Sequence, residues 1–401
     1  MVGVDIARVR GLYPTLATGT AQLDGSFAAL HPESVIRAVI ATLRSSPSQP
    51  GSGSARSQRS ALRVGRARRA AADLVGARAD DIVLGGGEAA LLWRFVGLLS
   101  SDWQLGDEIV LSRLDTDVMI SAWLRAARER GVVVRWAEVD LETGELPTWQ
   151  YDQLVGRRTR IVTVPLGNAA TGMVPDVSAI AELAHKHGAL VMADAGAAPC
   201  YLPLDIGEFG TDLLYVAAWA FGGPTVCALA TRPGLLQELG ELLDGEDAIA
   251  PRAFEPGPLP IELLDGFTAA VDHLADLDEH ARGPRRDRLI DSVSAAADYA
   301  GDLYARLDEG LRALPHVTVL GGPRRDLPVA GFTVEGCTPD ELGAHLQRRD
   351  ISVWTGPSGL DGLLRTFGAD EYGGAAFLGV MAHTAPGEID QFLDAMAELK
   401  H

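Results

Sequence analysis

Leu213-Leu214-Tyr215-Val216-Ala217-Ala218-Trp219-Ala220-Phe221-Gly222-Gly223-Pro224 opens as an uninterrupted apolar run and ends in a glycine–proline turn. A run of that kind reads as a strand covered on both faces. The pattern recurs upstream. Asp81-Ile82-Val83-Leu84 runs into Gly85-Gly86-Gly87, and Ile109–Ser112, Val132–Trp136, Arg160–Val164 and Ala189–Asp194 follow. Between these runs apolar residues recur three and four apart, over 63–77, from Glu88, from Trp123 to Arg130 and over 176–187. Short apolar strands alternating with helices predict an α/β domain with a mostly parallel central sheet flanked by helices.

Beyond about residue 285 the pattern changes. A long amphipathic helix over 288–313 leads to strands near 317–320 and 329–334. A helix at 339–349, the strand Ile351–Trp354 and a final helix from Gly387 complete a smaller α+β domain. The expected division is a large domain over 20–280 and a small one built from 1–19 and 281–401. Ser45–Ser60, rich in Ser, Gly, Pro and Gln, reads as a loop.

The chain has 401 residues, 47% hydrophobic, and a formal net charge of -19. That acidity argues against a nucleic-acid partner, whose phosphates need a basic face. No apolar run reaches membrane-spanning length and the first residues lack a secretory pattern, so the expectation is a soluble, cytoplasmic protein. Cys200, Cys227 and Cys337 are far apart and odd in number, which predicts reduced thiols. Only two lysines occur, Lys186 and Lys400.

A series of motifs gives this pattern a relative. Gly106-Asp107-Glu108-Ile109-Val110, Glu142-Thr143-Gly144-Glu145-Leu146, Gly167-Asn168-Ala169-Ala170-Thr171-Gly172, Val174-Pro175-Asp176, Ala184-His185-Lys186-His187-Gly188 and Asp194 occur in that order. So arranged, the chain resembles the cysteine desulfurase-like branch of the class V aminotransferases, of pyridoxal-phosphate (PLP) fold type I. The resemblance implies a homodimer and a PLP site at the carboxyl ends of the strands. It also places Ala220 where the family carries its Schiff-base lysine. Other family groups are replaced as well: Thr116 stands for the ring-stacking histidine, Gly257-Pro258 for a phosphate-binding Gly-Thr pair from the neighbouring subunit, Ala197 for a residue beside the ring oxygen, and Phe377 for the substrate-binding arginine. The glycine-rich turn before Glu88 has no hydroxyl and sets an acid where phosphate would lie. Asp194 and Asn168 match the groups at the pyridine nitrogen and ring oxygen.

These losses lead to the expectation that no cofactor is bound, and no metal. Asp194, Asp117 and His383 are the candidate proton carriers, because a buried carboxyl or an imidazole titrates near neutrality. Asn168, Thr116, Trp219, Ala220, Phe377 and Trp93 are the candidate ligand contacts. Asp115 reads as a helix N-cap. Cys200 is a possible nucleophile without an evident partner, and the loop around Ser358 has no persulfide cysteine. The leading functional expectation is a PLP-independent enzyme that performs acid/base-assisted cyclisation, elimination or isomerisation on a neutral or apolar small molecule in a biosynthetic pathway. A non-catalytic subunit or ligand-binding protein, and an enzyme holding PLP or pyridoxamine phosphate non-covalently, stay open beside it.

Overall fold

The computed structural model describes residues 4–27, 29–241 and 251–399. Its strands in chain order are β1 (Ala21–Gln22), β2 (Ile82–Gly85), β3 (Glu108–Ser112), β4 (Val133–Ala137), β5 (Thr159–Pro165), β6 (Leu190–Asp194), β7 (Leu213–Ala217), β8 (Cys227–Thr231), β9 (Val317–Val319), β10 (Val329–Val334), β11 (Ile351–Ser352) and β12 (Ala376–Gly379). Seven of them form one sheet in the order β2-β8-β7-β6-β5-β3-β4. β8 runs antiparallel to both its neighbours, and the other pairings are parallel. Six strands therefore end on one edge, where connecting loops gather.

The apolar runs are continuous because both faces of this sheet are buried. Along β7, Leu213, Tyr215 and Ala217 enter one core while Leu214 and Val216 enter the other. Of the helices before β6, α1 spans Ile6–Gly11, α2 Glu33–Arg44, α3 Ala55–Val75, α4 Glu88–Leu99 and α5 Asp117–Arg130. α3 buries Ala67, Ala70, Ala71 and Leu74, the alanines permitting close approach, and turns Arg56, Arg59, Arg66 and Arg69 outward. It begins well before the position expected from periodicity. The Ser54 hydroxyl accepts from Ser57 N at 3.2 Å and starts the helix inside the presumed loop, as an N-cap does.

The small domain packs a three-stranded antiparallel sheet, β12-β10-β9, around Phe332, Leu378 and Phe392. The helix Arg285–Arg312 runs alongside it, one turn ahead of the expected start. Ala21 and Gln22 pair in parallel with Ile351 and Ser352, which joins β1 to β11. Neither β8 nor the buried helix Ile261–Ala275 emerged from the sequence patterns; both are apolar without a clean period. No helix among the described residues is long and apolar enough to cross a membrane.

Candidate active site

The edge where six strands end carries a cavity of about 140 Å³. Five of the six contribute: Glu88 after β2, Thr116 after β3, Asn168 after β5, Asp194 at the end of β6 and Trp219 after β7. The small domain closes it with Ser358, Gly359 and Leu360, and Phe27 forms another wall. Wider grooves exist, up to about 700 Å³ beside Cys337. The cleft at the strand ends is where ligands bind in open parallel sheets.

Asp194 is 5% exposed. One carboxyl oxygen accepts from Gly196 N at 2.8 Å, and no hydrogen bond reaches the other from the described residues. Burial pushes its pKa up to about 6, against the pull of the Gly196 amide. Glu88, the first residue of α4, is pushed up to about 7 by burial and then by the Asp194 charge, with the Tyr215 hydroxyl acting the other way. Asp115 lies one layer deeper. Thr163 Oγ1 donates to it at 2.5 Å and Ser112 N at 3.3 Å, while its Oδ1 is buried without a partner. Burial raises its pKa to about 7, with Asp194 adding to the rise. Three carboxyls thus share one region, and no Lys, Arg or His lines the cleft among the described residues.

Asn168 is held on three sides. Its Nδ2 donates to Leu114 O at 2.8 Å, and its Oδ1 accepts from Ala170 N and Thr171 N. Among the described residues the second Nδ2 proton makes no hydrogen bond. Thr116, not Asp115, is the N-cap of α5, accepting from Met119 N at 3.4 Å. Trp219 lines the cleft and Ala220 turns away from it into the main core, where its carbonyl accepts from Cys200 Sγ at 3.4 Å.

Four other expected site residues lie outside the lining of this cleft. Asp117 is absent from the lining; its Oδ2 accepts from Asp361 N at 3.0 Å and its own amide donates to Gly359 O at 2.7 Å, so it fastens the closing loop. His383 is buried in a separate small cavity with Tyr13, His273 and Cys200. Burial, then Arg10, holds its pKa down to about 3, so it is a poor proton carrier near neutrality. Phe377 stands behind Phe27, with ring centroids 4.9 Å apart, and does not face the cleft. Trp93 is half exposed on α4, under the guanidinium of Arg125. Cys200 is a protonated thiol, raised to about 12 by burial. Lys186 is exposed four residues before β6 begins, at the opposite edge of the sheet from Asp194. Lys400 is outside the described residues.

Comparison with known proteins fits this geometry. The family model for aminotransferase class-V matches residues 22–392. The chain belongs to the class V aminotransferase family. It is 39% identical, over 98% of its length and 99% of the relative's, to an uncharacterized protein of Mycobacterium tuberculosis (strain CDC 1551 / Oshkosh). A probable cysteine desulfurase of Mycolicibacterium paratuberculosis is 28% identical over 83% of this chain, which covers 48% of that protein. Among solved structures, the apo cysteine desulfurase of Thermococcus onnurineus superposes with a TM-score of 0.86 at 21% identity, covering 99% of this chain and 98% of the other.

A fourth comparison corrects the expectation of an absent cofactor. A C-DES mutant in which alanine replaces a lysine has the same fold, with a TM-score of 0.77 at 19% identity over 98% of this chain and 99% of that one. It is described with glycine covalently linked to the PLP-cofactor. Alanine in place of a lysine therefore does not exclude PLP from this fold, and the class V aminotransferases related to this chain point toward the cofactor. The remaining donors in this chain fit it. The free oxygen of Asp194 suits a pyridine nitrogen. The amides opening α4 have no side-chain cap, and Glu88, with its raised pKa, need not be charged beside a phosphate.

Proposed function

We propose that this class V aminotransferase-fold chain holds a pyridoxal-type cofactor by non-covalent contacts alone and catalyses proton transfers on a small, largely apolar substrate. The observation that carries the proposal is Asp194, buried at the end of β6 with one oxygen open to the cleft beside Asn168 and Trp219. Asp194 would hold a proton at the pyridine nitrogen, Asn168 would donate to the ring oxygen, and the α4 amides would receive the phosphate. When bound, such a cofactor would supply an electron sink for charge developing at the carbon that carries a substrate's amino group. The chain's own part is orientation, exclusion of water by Phe27, Trp219 and Leu360, and proton exchange near neutrality through Glu88. Elimination, isomerisation and cyclisation each need one proton removed and one returned, which suits a carboxyl titrating near the working pH. No step requires a lysine imine.

The test is titration of the protein with PLP and with pyridoxamine phosphate, followed by tryptophan fluorescence and absorbance. Saturable quenching, weakened about tenfold or more by Asp194→Asn, supports the proposal; the magnitude is that of a lost charge-assisted hydrogen bond. Absence of a perturbation by either compound at millimolar concentration overturns it. The homodimer expectation joins the same reading: Ile40, Leu43 and Leu62 leave apolar side chains exposed on α2 and α3. Sedimentation at a single molecular mass equal to one chain would remove it.

A further inference from the structure

The cleft wall nearest the small domain is aromatic and apolar. Phe27 forms it, with Leu360 also in the lining. The Phe27 ring stacks on Trp354, with centroids 5.6 Å apart and planes 15° from parallel. It also packs on Phe377, with centroids 4.9 Å apart and an angle of 64°. The backbone holds the outer two rings in place. Trp354 N donates to Phe377 O at 3.0 Å, and Phe377 N donates to Trp354 O at 2.8 Å. The turn that carries Phe27 is pressed onto β12. A Cβ at Gly379 would lie 2.8 Å from Ser26 N, so the approach needs glycine there. The wall is therefore built in advance of any ligand.

The charged groups around this wall are acids. Glu88 and Asp194 are the ionisable side chains of the described lining, which has no Lys, Arg or His. A third carboxyl sits in the Phe27 turn itself. Asp24 Oδ2 accepts from Ser352 Oγ at 2.9 Å, and Asp24 Oδ1 is buried with no partner among the described residues. A ligand carboxylate set against Phe27 would exchange water for stacked rings, find no counter-ion and meet like charge. Moving a carboxylate out of water without a partner is strongly unfavourable. An alkyl group in the same place gains by leaving water. A protonated amine suits a cleft with acidic ionisable groups and aromatic walls, Phe27 and Trp219.

We infer that the substrate end of this cleft selects amines that carry no carboxylate, with an alkyl body lying against Phe27 and Leu360. The stack of Trp354, Phe27 and Phe377 sets the discrimination, because it offers a carboxylate neither water nor a cation. The inference rests on the proposed pyridoxal-type occupancy and deepens it by naming the substrate class.

The experiment uses two stable conjugates of pyridoxamine 5′-phosphate. In one the amino nitrogen bears an n-butyl group, and in the other it is the nitrogen of norvaline. The two differ only in the carboxylate. Dissociation constants for both, and for pyridoxamine 5′-phosphate itself, are measured by tryptophan fluorescence at one pH and salt concentration. The butyl conjugate should bind the wild type about tenfold or more tightly than the norvaline conjugate. Equal binding of the two, or tighter binding of the norvaline conjugate, sinks the inference while leaving the proposed function intact. Binding of none of the three at millimolar concentration overturns both. Ser358→Arg sets a guanidinium at a half-buried lining position, and Phe27→Ser admits water at the wall. Each should narrow the gap several-fold, whereas Phe27→Leu keeps the wall apolar and should preserve it. A gap unchanged in both Ser358→Arg and Phe27→Ser places the discrimination outside this wall and overturns the assignment.

Discussion

Asp115 has one buried oxygen without a partner and only neutral donors on the other, Thr163 and Ser112. Its carboxyl is therefore most comfortable protonated. Because burial raises the folded-state pKa above the unfolded value, the unfolded chain gives up this proton first as pH rises. Stability from this residue is present at low pH and is lost as pH climbs through the interval up to about 7. Asp115→Asn stays neutral throughout. The variant should gain on the order of 2 kcal/mol relative to wild type between about pH 5 and about pH 8, measured by urea denaturation at both values; a constant difference would show the carboxyl to be charged and satisfied. His383 runs in the opposite sense. Both its ring nitrogens lack partners, and burial and Arg10 hold its folded pKa down to about 3. The unfolded chain takes the proton first as pH falls below about 6.5, so stability is lost toward acid. His383→Leu should remove about 2 kcal/mol of that loss at about pH 5, read from the same denaturation series.

At the scale of elements, the cleft depends on a loop from another domain. Residues 358–360 line it, and α5 fastens them through the Asp117 carboxylate to Asp361 N and the Asp117 amide to Gly359 O. Trp354 supports the same strap by donating Nε1 to Pro357 O at 3.0 Å and by stacking on Phe27. Asp117→Ala removes one carboxylate acceptor and should cost about 1 kcal/mol locally. The expected result is faster amide exchange confined to 356–362 and a several-fold weaker cleft ligand, with a nearly unchanged melting temperature. A large fall in melting temperature would instead make Asp117 a general structural support. Helix existence was legible wherever periodicity was strong, as in α3 and the long helix after Pro284. The start of α3 was not, because a single serine N-cap decided it.

Across the whole molecule, the two domains meet at the Asn168 loop. Arg325 of the small domain is partly buried, has no carboxylate partner among the described residues, and donates to the carbonyls of Ala170, Thr171 and Leu320. Asn168 accepts from the amides of the first two of these residues, so the small domain and the cleft floor share one hydrogen-bonded loop. Arg325→Met retains the apolar stem but leaves three carbonyls without this donor. It should cost about 3 kcal/mol of stability and weaken cleft ligands beyond what Asp117→Ala does, measured by thermal denaturation and fluorescence titration. Unchanged ligand affinity in a destabilised variant would confine Arg325 to a structural role.

The alternation of apolar runs and amphipathic stretches determined the α/β class, because burying both sheet faces requires continuous apolar strands flanked by helices. The order of motifs determined the family, and Asp194 and Asn168 line the cleft at the strand ends. Trp219 also reached the cleft as expected. His383, Phe377 and Trp93 did not, since sequence position near a site says little about which side chain turns inward. Most of all, spacing could not show that Glu88, Asp115 and Asp194 raise one another's or their own proton affinity. That follows from burial and from charge meeting charge across β2, β3 and β6, strands distant in the chain, and only the tertiary structure brings them together.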